Sequence, residues 1–134
     1  CERKFLAESK DISYRITLGN DLRLDFLEEL DLISIVGNLL DNALEAAEKT
    51  EDGRYVECRM YMGNAGHFLV MEFCNGYVVP LLKDKDRYIS TKRDADSHGI
   101  GLHTVGKLVK KYAGIMRVEA GEREFSVKLI FTIK

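Results

Sequence analysis

Asn38, Asn42 and Glu45 stand at i, i+4 and i+7. On a helix their side chains point within a few tens of degrees of one another. Asparagine is a mediocre helix former because its amide competes for backbone hydrogen bonds, so two of them one turn apart ask for a reason. One reason is chemical. An amide carbonyl is a hard oxygen ligand suited to Mg2+, an ion that keeps several waters and binds substrate phosphates. The other is a solvated polar face. At this segment both readings stay open.

Three further runs carry chemistry-bearing residues. In His98-Gly99-Ile100-Gly101-Leu102 the glycines let backbone N–H groups approach a ligand, and a helix start adds partial positive charge. Together these favour a polyphosphate, although a tight turn into the helix explains the same glycines. Ser90-Thr91-Lys92 offers hydroxyls and an ammonium, either a point charge for phosphate or a solvated loop lysine. In Cys74-Asn75-Gly76 a strand-like run stops at an amide that can both donate to and accept from a purine edge, or that simply starts a turn.

The elements that must position these residues are legible in the hydropathy pattern. Ile12 to Leu18 alternates and reads as a strand, broken at Gly19-Asn20-Asp21, with a short helical piece expected around Leu22 to Leu30. A long helix is expected from Asp31, as N-cap, to about Lys49. Its broad apolar side is Leu32, Ile33, Ile35, Val36, Leu39, Leu40, Ala43, Leu44, Ala46 and Ala47. Its narrower polar side is Ser34, Asn38, Asp41, Asn42, Glu45 and Glu48. Tyr55 to Met62 and His67 to Cys74 read as antiparallel strands joined through Gly63-Asn64-Ala65-Gly66. From Gly76 to Ser97 periodicity fades into a charged run containing Pro80, a length that in a compact domain suits a lid or binding loop. An amphipathic helix from Leu102 to about Tyr112, stopped near Gly114, and two strands, Ile115 to Glu119 and Phe125 to Ile133, complete the order. This succession predicts one domain over residues 1–134, an α/β two-layer sandwich with a mixed, mainly antiparallel sheet and helices on one face.

Composition narrows the field. A chain of 134 residues with 46% hydrophobic and 31% charged residues can bury a core of its own. A net charge of -2 gives no electrostatic reason to expect nucleic acid or an anionic membrane as a ligand. Cys1, Cys58 and Cys74 form neither a CxxC pair nor a zinc spacing, and are read as free thiols. No apolar stretch approaches the roughly 18 residues that cross a bilayer. The chain opens Cys1-Glu2-Arg3-Lys4 without an initiator methionine or a signal pattern, and is expected to be the C-terminal fragment of a longer protein.

Taken in order, NxxxN on a helix, Asn-Gly after a strand, a long charged loop ending Ser90-Thr91-Lys92, and then HGIGL resemble the GHKL ATPase superfamily over about Ile12 to Ile133. In its histidine kinases these correspond to the N box, the first glycine box, the ATP lid and the second glycine box. GNLLDNALEAA is a specific match, and STK followed by HGIGL resembles the quorum-sensing and peptide-sensing branch of sensor histidine kinases. The resemblance implies a Bergerat-type fold and ATP with Mg2+ as cofactors. It implies Asn42 as the main Mg2+ ligand, Asn38 as a second residue holding metal or phosphates, and Glu45 at the pocket rim. It places Asn75 and Gly76 at the adenine, and the amides of Gly99, Gly101 and Leu102 at phosphate, with His98 and Lys92 nearby.

This chain departs from the family pattern in three places. DxGxG is here Asn75-Gly76-Tyr77-Val78-Val79, the second glycine box is short, and no third glycine–threonine box appears. Neither His67, His98 nor His103 suits a phosphoacceptor. The resemblance therefore implies an acceptor histidine on an upstream dimerisation domain, a response regulator as the next partner, and a homodimeric parent anchored in the membrane with this domain in the cytoplasm. Two alternatives remain at this stage: a nucleotide-binding-impaired scaffold or regulatory module, and an anti-sigma-type protein serine kinase of the same fold.

Overall fold

The computed structural model describes residues 2–50, 53–76 and 102–133. The strand expected near the start forms as β1 (Ser13–Leu18), and the long helix as α2 (Glu29–Glu48). The hairpin forms as β2 (Tyr55–Gly63) and β3 (Phe68–Gly76). A helix α3 over residues 102–111 precedes β4 (Ile115–Ala120) and β5 (Glu124–Thr132). Ahead of them all lies α1 (Glu2–Ser9), which the sequence reading did not include. Two turns of helix are marginal alone, and α1 is held by what it rests on: Ala7 is fully buried in the common core.

The strands form one sheet in the order β1-β2-β3-β5-β4. β1 runs parallel to β2, with Ser13 opposite Tyr55, and every other neighbouring pair is antiparallel. Alternation then sorts the side chains. Val56, Cys58 and Met60, Leu69, Met71 and Phe73, and Val127, Leu129 and Phe131 all lie on one face and are buried. Against them sit Ile35, Leu39, Leu40, Ala43, Leu44 and Ala47 of α2 and Val105 and Val109 of α3. The expected two-layer sandwich, with a mixed sheet and helices on one face, is thus the fold observed. The opposite face carries charge: Arg59, Glu72 and Lys128 stand side by side across β2, β3 and β5, with Glu72 at 2.9 Å from Arg59 and 3.3 Å from Lys128. Such cross-strand pairs contribute up to about 1 kcal/mol each and weaken with salt.

Two expectations need correction. No helix forms over residues 22–28; the chain there makes turns before α2. The reason is visible in Leu22, Leu24 and Phe26, which alternate with charged residues and all pack on the core, a spacing of two rather than 3.6. Asp31 is not the N-cap either: α2 starts from Glu28, whose side chain makes no capping bond, and Asp31 lies within the first turn. α3 stops near Gly114 as expected, and the left-handed residue at its end is Ala113 (φ 57). Gly114 is demanded by packing instead, because a Cβ there would stand 2.8 Å from the ring of Phe131. Among the described residues no helix is long and apolar enough to cross a membrane.

Candidate functional site

The middle of α2 presents the two asparagines as its 3.6-residue period requires. Leu39, Leu40, Ala43 and Leu44 turn into the core, leaving Asn38 and Asn42 half-buried at its margin and Glu45 exposed. Asn38 Nδ2 donates back to the Ser34 carbonyl at 2.8 Å and to its Oγ at 3.2 Å. That tie to the preceding turn fixes the amide, so Oδ1 is the atom it can offer a cation. Asn42 differs. Its Nδ2 is buried and has no hydrogen-bond partner among the described residues. Leaving such a group unpaired costs about 1–3 kcal/mol, so it calls for a polar group beyond those the described residues supply. The two ends of a carboxamide exchange by rotation about χ2, so the same position can give an N–H to a phosphate oxygen or a carbonyl oxygen to a metal.

Asn75 sits near the end of β3, opposite Val56, on the helix-covered face of the sheet, and is only 2% exposed. Its Nδ2 donates to the Gly76 carbonyl at 2.8 Å. An exocyclic amine would meet the other end, Oδ1, which is the acceptor such a donor needs. Gly76 has a structural explanation: a Cβ would lie 2.4 Å from the Gly53 carbonyl oxygen, so the connection leaving α2 crosses tightly over the end of β3. Leu102 opens α3, half-buried against the core. Lys92, His98, Gly99 and Gly101, with Ser90 and Thr91, lie outside the described residues.

Electrostatics separates this region from the cysteines. Burial pushes the Cys58 thiol up to about 12, and burial followed by the Glu124 carboxylate also raises Cys74, so neither is primed as a nucleophile. Both are free, as read from the sequence. Among the described residues no group of three His, Cys, Asp or Glu could hold a metal. A divalent ion here would rest on amide oxygens and on its own substrate's phosphates, the manner in which Mg2+ is ordinarily bound.

Sequence reasoning missed one cluster altogether. Tyr112, just past α3, accepts the Glu28 backbone N–H at 3.0 Å and donates to Asp31 Oδ2 at 2.5 Å; Lys111 Nζ reaches the same oxygen at 2.7 Å. A signal was available: an acid in the first turn of one helix and a base in the last turn of another suit both helix dipoles.

Comparison with known proteins decides the family. Residues 27–132 match the family model of the GHKL domain. The chain belongs to the GHKL family. Sensor histidine kinase DpiB of Escherichia coli (strain K12) is 34% identical to this GHKL domain over 98 residues, 69% of this chain. The chain spans 18% of that relative's length. The catalytic domain of histidine kinase ThkA, in a nucleotide-free form, superposes with a TM-score of 0.68 at 19% identity, covering 98% of this chain and 87% of that one. The histidine kinase domain of the Erythrobacter litoralis EL346 blue-light activated kinase gives 0.67 at 15% identity, over 97% and 57%. The Acinetobacter baumannii histidine kinase AdeS gives 0.67 at 9%, over 99% and 62%. At these identities the solved structures establish the GHKL fold, and the family model carries the assignment.

Proposed function

We propose that this GHKL domain binds ATP with Mg2+ and supplies the γ-phosphate to a histidine on an upstream dimerisation domain of a two-component sensor kinase. The observation that carries the reading is Asn42, whose buried amide lacks a partner among the described residues, one turn beyond an Asn38 already fixed by its own helix. Asn42 and Asn38 would hold the metal and phosphates, and Asn75 with Gly76 the adenine. Lys92, His98 and the amides of Gly99, Gly101 and Leu102 would complete the phosphate side. The metal, when bound, neutralises phosphate charge. Phosphoryl transfer asks little covalent chemistry of the protein, so these residues act by orientation and electrostatic complementarity. The partners are then the acceptor domain and a response regulator, within a homodimeric, membrane-anchored parent whose GHKL domain is cytoplasmic. Residues 1–134 form a single catalytic domain in this reading.

Titration with a fluorescent ATP analogue and Mg2+ tests it. Asn42→Ala and Gly101→Ala are expected to weaken binding by roughly tenfold or more, the loss of one charge-assisted contact, with the far-ultraviolet circular dichroism unchanged. Equal affinity in wild type and both variants would remove the site. No binding by the wild type would favour a scaffold role.

A further inference from the structure

The contacts around Asp31 join the start of α2 to the end of α3, away from the proposed site. α2 returns into β2 through a short connection in which Arg54 Nε donates to the Thr50 carbonyl, and α3 returns into β4 at Gly114. Through the alternating directions of β2, β3, β5 and β4, the strands β2 and β4 run oppositely. The helices folded back on them therefore run oppositely too. The start of α2 meets the end of α3, and the start of α3 lies level with the middle of α2. At about 1.5 Å per residue, Leu102 and the Asn38–Asn42 pair are each roughly 10–17 Å along their helices from this junction.

The junction is built to be specific. The Tyr112 ring packs edge-on to Phe26 (centroids 6.2 Å apart) and to Phe131 (6.4 Å), and Phe131 is fully buried. The hydroxyl is therefore held by the core rather than by a free side chain. It satisfies one backbone N–H at the start of α2, where no side-chain cap exists, and donates to Asp31. Lys111 closes the cluster from the last turn of α3, reaching Asp31 and, at 3.5 Å, Glu28.

We propose that the Asp31–Lys111–Tyr112 clasp is a positioning element that fixes the sliding register of α2 against α3, and so sets the separation between the Asn38–Asn42 amides and the backbone N–H groups at the start of α3. The inference rests on the proposed nucleotide site: the triphosphate and its metal span that separation, whereas the adenine rests on β3. Loss of the clasp then weakens the triphosphate end and spares the nucleoside end. No contact of the clasp with ligand is needed.

Tyr112→Phe keeps the ring and deletes the hydroxyl; Asp31→Asn removes the charge. For both, Mg·ATP affinity is expected to fall about three- to tenfold, within the range of one lost hydrogen bond, while adenosine, measured by competition, keeps its affinity. Ligand-free amide NMR spectra of the same variants supply the second readout. The Asn42 side-chain amide and the Leu102 backbone amide are expected to shift, far from the substitution. Spectral change confined to the junction, or an equal effect on both ligands, would overturn the clasp. If the wild type binds neither ligand, the nucleotide reading falls, and the NMR arm alone decides whether the clasp sets helix register.

Discussion

Ala113 illustrates how a single residue can store instability. It closes α3 in the left-handed region (φ 57), with its N–H on the Lys110 carbonyl and the following Gly114 N–H on Val109 at 2.8 Å. A residue with a Cβ is held there at a cost of about 1–2 kcal/mol, offset only in part by the extra chain entropy a glycine would lose. Ala113→Gly is accordingly expected to raise unfolding stability by about 0.5–1 kcal/mol, read as a higher urea midpoint at unchanged m-value. The candidate site was legible at the same scale only where residue type and helical period coincide. Asn38 and Asn42 fall at the core margin because period alone puts them there. Gly76 was singled out for a ligand, yet what excludes a side chain is the Gly53 carbonyl, a contact between distant segments that spacing cannot display. Asp31 was read as a cap because its type suits one, while its actual partners arrive some eighty residues later.

Among the elements, α2 was readable because its burial is periodic, and β2 and β3 because their alternation is clean. Residues 22–28 were misread since Leu22 and Phe26, four apart, also match one turn of a helix. α1 was missed because so short a helix depends on the sheet beneath it. The junction of α2 with α3 makes a pH-dependent statement. Lys111 and Tyr112 hold the Asp31 carboxyl below its ordinary value, and Asp31 holds the Lys111 ammonium above its own. A carboxyl depressed in the folded state stabilises above its unfolded value, about 3.9, and that contribution goes as pH falls through the folded value. A raised lysine stabilises fully below about 10.4 and loses its share as pH climbs through the folded value. The stability gap between wild type and Asp31→Asn, from urea unfolding, is therefore expected to be flat from about pH 5 to 9 and to shrink below about pH 4. A gap that persists undiminished at pH 3 would mean the bond to Tyr112, rather than the charge, carries the effect.

For the molecule as a whole, ligand linkage gives the broadest check. Free Mg·ATP at a hundred times its Kd stabilises a folded domain by about 2.7 kcal/mol, which for a chain of this size raises Tm by on the order of 10 °C. Thermal unfolding with ATP and Mg2+, against ATP with a chelator, is expected to show that rise only with the metal present. A flat Tm in both would contradict the nucleotide site at the level of the entire domain. The sheet's connectivity has another consequence. β2, β3 and β5 each hydrogen-bond on two sides, whereas β1 is secured along one edge by a parallel ladder, the weaker kind per residue. Its outer edge has no strand partner among the described residues, and Ile16 and Leu18 remain substantially exposed. Under load applied at the amino end, β1 and α1 would peel away first, while the three strands behind Asn75 kept their pairing. Native-state amide exchange should then show two tiers of protection, with the early-opening tier confined to the first eighteen residues. In mechanical terms the N-terminal unit is a detachable strap, and pulling on it need not disturb the ladders that join β2, β3 and β5.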